Sequence, residues 1–288
     1  FDPAQMRNVM TSFTDVALSP VAVNKFFHTV LSGWVLGAVF VVGVSCWFLY
    51  KKSNLEFAKD SMKIASWVGL AGILLTMWTG DGSAVNVARV QPMKLAAMEG
   101  LYDGSCGQSL VGFGIVNPAK TLDNDEPAIL GEISIPKGLS ILANHDPDSF
   151  VPGINDLIKG VSVTADGDTI DTVSYAERIA RGRRAQEALR AYDAAMQSGD
   201  TDALNAAAEA IKADFKYFGY GYLDSVEEAV PPVAITFYAF RVMVMGGGYL
   251  LFFFLLMLFL SYRKPLTLEN CWIIFLGLLT IPVVWIVS

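Results

Sequence analysis

Three side chains stand out because they interrupt apolar stretches of the chain. His28 lies in KFFHTVLSGW, and Arg241 and Met243 lie in FYAFRVMVMGGG. Ionisable side chains are costly within an apolar helix and therefore often mark functional sites. Histidine and methionine form an axial ligand pair in electron-transfer haems, and a nearby cation can pair with the haem carboxylates. The alternative is structural, because histidine also forms hydrogen bonds between membrane helices and methionine also fills apolar space.

A second group of polar residues lies in residues 80–100, GDGSAVNVARVQPMKLAAMEG. Lys94 and Glu99 are five residues apart, which separates them by about 140° on a helix, so they do not form an i,i+4 ion pair. Both side chains could face a polar ligand at a membrane surface. The alternative is a solvated helix with ordinary charges. His145 is interpreted as a solvated loop residue, and two histidines exclude a multi-histidine metal site.

The elements that must position these residues are apolar segments of membrane-spanning length. A helix needs about 20 mostly apolar residues to cross a bilayer. All six tryptophans lie in such segments, as expected for rings anchored in or near a membrane. His28 and Met243 are then at similar depth on helices that enter from the same side. The predicted spans are residues 26–50, 64–80, 233–262 and a fourth, cut off by the end of the sequence, at 271–288.

Basic residues in the short connections predict the orientation of these spans. They are Lys51, Lys52, Lys59, Lys63, Arg263 and Lys264. Positive charge in short loops is typical of the cytoplasmic side, so the long connection is expected on the extracytoplasmic side. This gives three predicted parts: residues 1–80 with the first two spans, residues 81–232 as an extracytoplasmic loop, and residues 233–288 with the last two spans.

The charge of the chain is concentrated in the long loop. Residues 81–232 hold 23 of the 28 acidic residues but only 12 of the 21 basic ones. No basic patch of useful size exists, which excludes nucleic acid as an evident partner. Within the loop we predict a helix over residues 85–102, irregular chain with one short strand at residues 132–135 over residues 103–171, and a helical hairpin over residues 172–217 that turns at Gly199.

The blocks described so far resemble subunit I of the cytochrome bd family of quinol oxidases. The resemblance rests on MTSFTDVALSPVAVNKFFHTVLSGWVLGA, QPMKLAAMEG, VPGINDL and PPVAITFYAFRVMV in this order, and it extends over essentially the whole sequence. It implies a multi-pass protein of the bacterial inner membrane, an all-α fold with four transmembrane helices, and a large, mostly helical extracytoplasmic loop that binds quinol.

The resemblance also implies roles for individual residues. His28 and Met243 match the axial ligands of the low-spin haem b, and Arg241 matches the residue that stabilises this haem. Gln91, Lys94 and Glu99 match residues associated with quinol oxidation, and Asp81 is a weaker candidate. Met245 is a poor substitute for Met243, because two residues turn a helix by about 200°. Glu99 is expected to accept a proton from the quinol and Lys94 to stabilise the developing anion.

Parts of the family pattern have no counterpart in this sequence. The family holds a high-spin haem b and a haem d partly through residues before and after the matched region. The chain is therefore expected to be a central fragment that is inactive in oxygen reduction by itself. Subunit II and small accessory subunits are the implied partners, beside membrane lipid and quinol. The competing hypothesis is a membrane-anchored extracytoplasmic sensor or binding module without haem.

Overall fold

The computed structural model describes residues 9–10, 12–122, 124–163, 169–263 and 271–287, and this part of the chain is mostly helical. Two short 3-10 segments, Phe215–Tyr222 and Glu227–Ala229, precede the last two helices. The α-helices are α1 (Phe13–Ala17), α2 (Pro20–Tyr50), α3 (Leu55–Val90), α4 (Pro92–Glu99), α5 (Gly138–Asn144), α6 (Ile154–Lys159), α7 (Tyr175–Ser198), α8 (Thr201–Asp214), α9 (Val233–Arg263) and α10 (Cys271–Val287).

In the part of the long loop that the structure describes, six short strands form three antiparallel pairs. They are β1 (Ser105–Cys106), β2 (Leu110–Val116), β3 (Ile129–Ile135), β4 (Phe150–Val151), β5 (Val161–Val163) and β6 (Thr169–Asp171). β1 pairs with β4, β2 with β3, and β5 with β6. The prediction of irregular chain with one strand over residues 103–171 was therefore wrong. The strand predicted at residues 132–135 is the end of β3, and its partner strand was missed.

Among the described residues, three helices, α2, α3 and α9, are long and apolar enough to cross a membrane, whereas α10 is a shorter apolar helix. Three of the four predicted spans therefore correspond to helices of membrane-spanning length, and the fourth span stays a prediction. α2 begins earlier than predicted, at Pro20, and α3 continues beyond its apolar part at both ends. Lys264 and the rest of the connection between α9 and α10 lie outside the described residues.

The chain divides into two compact units. The described residues within 16–86 and 238–288 form what we call the bundle unit, and those within 1–15 and 87–237 form the loop unit. The division of the chain at residues 80 and 232 stays a prediction.

The bundle unit is built around one apolar core shared by α2, α3, α9 and α10. Its fully buried side chains include Val39, Met62, Phe253 and Met257. Glycines allow the helices to approach closely. A Cβ at Gly69 on α3 would overlap the ring of Phe254 on α9. The glycine therefore leaves the space that this ring occupies, and a larger residue would displace the ring.

The loop unit contains the predicted helical hairpin. Ser174 caps α7 by accepting a hydrogen bond from Glu177 N, and Gly199 ends the helix at a φ of 74°. Asp200 then caps α8 through its side chain. Because only glycine adopts this backbone conformation without strain, Gly199 fixes the turn. The hairpin prediction is confirmed.

A second predicted helix, over residues 85–102, is interrupted. α3 ends at Val90, and α4 starts at Pro92 after Gln91, whose φ and ψ are −135° and 57°. Proline has no N–H to donate, and its ring disfavours helical geometry in the residue before it. The chain therefore forms two helices here, and α4 ends at Glu99 because Gly100 follows with a φ of 62°.

Candidate functional site

His28 is carried by α2, whose start is defined by local sequence. The Ser19 side chain accepts a hydrogen bond from Ala22 N at 3.3 Å, and Pro20 occupies the first turn, where its missing N–H has no partner to lose. His28 follows about two turns later and is half-buried. Its Nδ1 lies 2.9 Å from Oγ1 of Thr79 on α3. The ring is thus held against a neighbouring helix of the same unit.

A second polar contact joins α2 and α3 one turn away from His28. Asn24 Nδ2 donates to the Thr79 carbonyl at 3.1 Å and to Ser83 Oγ at 2.7 Å. Asn24 and His28 are an i,i+4 pair on α2, and Thr79 and Ser83 are an i,i+4 pair on α3, so each pair lies on one face of its helix. Gly82 leaves room for the Asn24 side chain, since a Cβ at this position would lie 3.3 Å from Asn24 Oδ1.

Arg241 and Met243 are carried by α9 in the bundle unit. Arg241 is only 7% exposed, and its guanidinium carbon lies 5.7 Å from the centre of the Phe240 ring. Met243 is 44% exposed. The two residues turn about 200° relative to each other on the helix, which accounts for their different burial. Met245 is also exposed.

These three side chains suit a haem chemically, two of them as iron ligands and Arg241 as a cation. Among the residues that the structure describes, the hydrogen bond to the His28 ring is made at Nδ1, which leaves Nε2 available as a ligand. The thioether of Met243 is accessible, and Arg241 supplies a buried positive charge in the same unit. A neutral imidazole and a thioether are an axial pair of electron-transfer haems. The donor set therefore fits a haem.

Three of the four predicted quinol residues, Gln91, Lys94 and Glu99, lie on α4 or at its N-terminal end. Gln91 is the N-cap residue, and its carbonyl accepts hydrogen bonds from the backbone N–H groups of Lys94 and Leu95. Lys94 is exposed, whereas Glu99, in the last position of the helix, is only 3% exposed. α4 is held in place by Met93 and Ala96, which pack against Ile154, Leu157 and Tyr175.

The structure groups the predicted site residues in two sets. His28, Arg241 and Met243 belong to the bundle unit, together with Asp81, which is half-buried on α3. Gln91, Lys94 and Glu99 belong to the loop unit. Their roles stay predictions. Sequence reasoning missed Thr79 as a contact of His28; the only signal was the spacing of the polar pairs Asn24/His28 and Thr79/Ser83 at four residues each.

Comparison with known proteins gives a consistent family. A family model described as cytochrome bd terminal oxidase subunit I matches residues 1–288. Cytochrome bd-II ubiquinol oxidase subunit 1 of Escherichia coli K12 is 31% identical over 287 residues, covering 99% of this chain and 54% of that protein. Cytochrome bd ubiquinol oxidase subunit 1 of Bacillus subtilis 168 is 27% identical over 277 residues, covering 96% of this chain and 46% of that protein.

A solved structure has a related fold. The bd oxidase from Geobacillus thermodenitrificans matches with a TM-score of 0.66 at 18% identity, covering 100% of this chain and 49% of that chain. At this identity the likeness concerns the fold alone. The chain thus spans about half the length of the relatives that it matches.

Proposed function

Because the chain belongs to the cytochrome bd terminal oxidase subunit I family, we propose that it is part of a respiratory oxidase that oxidises membrane quinol and reduces oxygen to water. The family match over residues 1–288 and three helices of membrane-spanning length support this proposal. The observation that carries its haem part is the contact of 2.9 Å between His28 Nδ1 and Thr79 Oγ1, which supports a role for the other ring nitrogen, Nε2, as a metal ligand.

In this proposal, His28 through Nε2 and Met243 through its sulfur hold the iron of a low-spin haem b. Arg241 stabilises the haem as a buried cation. When bound, the haem supplies one-electron transfer between quinol oxidation and oxygen reduction. The protein contributes the ligands, their orientation and a water-poor surrounding that tunes the reduction potential.

Quinol oxidation is assigned to the segment that contains α4. Glu99 accepts a proton from a quinol hydroxyl, and Lys94 stabilises the anion that develops as the proton leaves. Gln91 adds a hydrogen-bonding group at the helix N-terminus, and Asp81 is a further binding candidate. The burial of Glu99 supports its role, because a carboxylate shielded from water is a stronger partner for a quinol hydroxyl than a solvated one.

The proposed topology has four spans in the bacterial inner membrane, with residues 81–232 on the extracytoplasmic side between the spans of residues 1–80 and 233–288. The high-spin haem b and haem d that reduce oxygen belong to the complete subunit. Subunit II and small accessory subunits complete the oxidase. This chain alone is expected to be inactive in oxygen reduction.

The test is a pair of methionine substitutions in the oxidase that contains this chain. Met243→Leu removes the thioether at nearly constant volume, and Met245→Leu is the matched control two residues away, also exposed on α9. We expect Met243→Leu to abolish or convert the low-spin haem band in the reduced-minus-oxidised spectrum, and Met245→Leu to leave it intact. An unchanged spectrum in Met243→Leu removes Met243 as a ligand.

The same spectrum addresses the competing hypothesis. A membrane-anchored sensor or binding module has no haem band at all. Absence of any such band in the purified oxidase would contradict the proposal and favour that hypothesis.

A further inference from the structure

The contact between His28 and Thr79 has a direction that hydrogen counting can assign. The Thr79 hydroxyl carries one proton. Two acceptors on its own helix are in reach, the carbonyls of Leu75 and Thr76, each at 3.1 Å. Threonine in a helix commonly donates to a carbonyl three or four residues earlier. With its proton directed there, the hydroxyl oxygen keeps lone pairs that can accept from Nδ1–H of His28 at 2.9 Å.

The opposite direction does not fit an iron ligand. If the Thr79 hydroxyl donated to Nδ1, the neutral ring would carry its proton on Nε2, and Nε2 would have no lone pair to offer. Acceptance by Thr79 therefore selects the one neutral tautomer that coordinates through Nε2.

The turn of α3 that carries Thr79 is itself fixed to α2. The Thr79 carbonyl accepts from Asn24 Nδ2 at 3.1 Å and from Ser83 Oγ at 3.0 Å, and Asn24 also donates to Ser83 Oγ at 2.7 Å. The side chains of Asn24, His28, Thr79 and Ser83 are all half-buried in the bundle unit. Hydrogen bonds between membrane helices restrict the rotation of one helix against the other. The hydrogen bonds of Asn24 and Ser83 thereby restrict the position of the Thr79 hydroxyl relative to His28.

We propose that Thr79 is a positioning residue for His28: its hydroxyl oxygen accepts the Nδ1–H hydrogen bond, fixes the ring tautomer and orientation, and leaves Nε2 for the haem iron, with Asn24 and Ser83 holding the turn. This inference rests on the proposed role of His28 as a haem ligand. A hydrogen bond at Nδ1 makes a coordinated imidazole a stronger donor, which favours the oxidised iron. Loss of the Thr79 hydroxyl therefore raises the midpoint potential of the haem.

The experiment uses the oxidase that contains this chain, with Thr79→Val, Thr79→Ala and Thr79→Ser. Both hydroxyl-free variants are expected to shift the midpoint potential of the low-spin haem upward and to weaken haem retention about tenfold. Thr79→Ser keeps a hydroxyl and is expected to stay near the wild-type potential. Thr76→Val is the matched control, because the Thr76 hydroxyl donates to the Gly72 carbonyl of its own helix.

The outcomes separate this inference from the proposed function. If His28→Ala removes the low-spin haem band but Thr79→Val and Thr79→Ala keep the wild-type potential, the role of Thr79 is wrong and that of His28 stands. If Thr79→Ser shifts the potential as far as Thr79→Val, the hydroxyl is not the cause and the inference is again wrong. If His28→Ala retains the low-spin band, the ligand assignment fails, and the role of Thr79 fails with it.

Discussion

The bundle unit and the loop unit use polar side chains in different ways. In the bundle unit, hydroxyls often donate to a carbonyl of their own helix, as Ser45 does to the Val41 carbonyl and Thr76 to the Gly72 carbonyl. In the loop unit, polar side chains connect segments that are separate in the sequence. Ser140 Oγ donates to the Ser149 carbonyl, and Asp156 accepts from the backbone of Gly104.

This difference decides how informative a polar contact is. Loops must satisfy many backbone groups through side chains, so a long-range polar contact there is part of ordinary folding. An apolar helix satisfies its own backbone, so a polar side chain that bonds to another helix is exceptional. Asn24 and His28 make such contacts in the bundle unit, as do the pairs Trp67–Tyr262 and Tyr249–Thr280. Asn24 and His28 differ from these pairs because they lie together on one face of a single helix. We therefore predict that the redox role proposed for His28 depends on the bundle unit, whereas the proposed quinol chemistry of the loop unit depends on a few residues of α4.

The largest effect is expected for Glu99→Gln, which tests whether the two units carry separable functions. The amide keeps the shape of the carboxyl but cannot accept the quinol proton. We expect quinol oxidation to fall about 100-fold, as for loss of a general base, with an unchanged haem spectrum. Glu132→Gln, at an exposed carboxylate on β3 of the same unit, is the control and should retain activity. Wild-type turnover in Glu99→Gln would dismiss the proton role.

The next effect concerns folding of the loop unit. A Cβ at Gly182 on α7 would collide with the backbone of Tyr217 and Gly221 in the 3-10 segment, and backbone cannot move aside cheaply. We expect Gly182→Ala to destabilise this region by about 1–3 kcal/mol, measured as faster amide hydrogen exchange over residues 175–222. Gly219→Ala, where a Cβ meets nothing within 4 Å, is the control. A changed haem spectrum in Gly182→Ala would contradict the separation of the units.

The same contrast explains which helices sequence could predict. α9 and α2 were found because long apolar runs demand a helix in a membrane. α3 was predicted too short, because charged residues such as Lys59, Lys63 and Arg89 leave the apolar pattern without leaving the helix. The α7–α8 hairpin was found through its glycine and its caps, which act within a few residues.

The strand pairs and the Thr79 contact could not be predicted in this way. Leu110 pairs with Ile135, and Ser105 with Val151, so the register depends on partners far along the chain. His28 and Arg241 stood out because their side chains are ionisable and lie in apolar segments. Thr79 did not, because a threonine in an apolar helix ordinarily bonds to its own backbone. Its role depends on the packing of α2 against α3, which the sequence pattern does not contain.

Arg241→Gln tests the electrostatic part of the proposed haem site. A buried positive charge near a haem stabilises the reduced state, which carries one more electron than the oxidised state. Removing the charge of Arg241 should therefore lower the midpoint potential of the haem. This direction is opposite to that expected for Thr79→Val. Arg241→Lys keeps the charge and should restore most of the potential, although it loses the planar hydrogen-bonding geometry. Redox titration of the low-spin haem band measures the midpoint potential of both variants. An unchanged potential in Arg241→Gln would show that Arg241 does not lie near the haem.

The smallest effect is expected for Glu177→Gln on α7, whose ion pair is exposed. Arg181 Nε donates to Glu177 Oε1 at 2.9 Å, and this hydrogen bond lowers the pKa of Glu177 below its ordinary value. A lowered pKa in the folded state stabilises the fold above the unfolded pKa of about 4.3, and the stabilisation is lost as pH falls through the folded pKa. The melting temperature of Glu177→Gln should therefore lie slightly below wild type at neutral pH and converge with it in acid.

Salt should also reduce the difference in melting temperature between Glu177→Gln and wild type, because exposed ion pairs are screened. Glu187→Gln, at another exposed carboxylate of α7, controls for loss of a charge, and a difference that persists unchanged in acid would show that the ion pair is not its source.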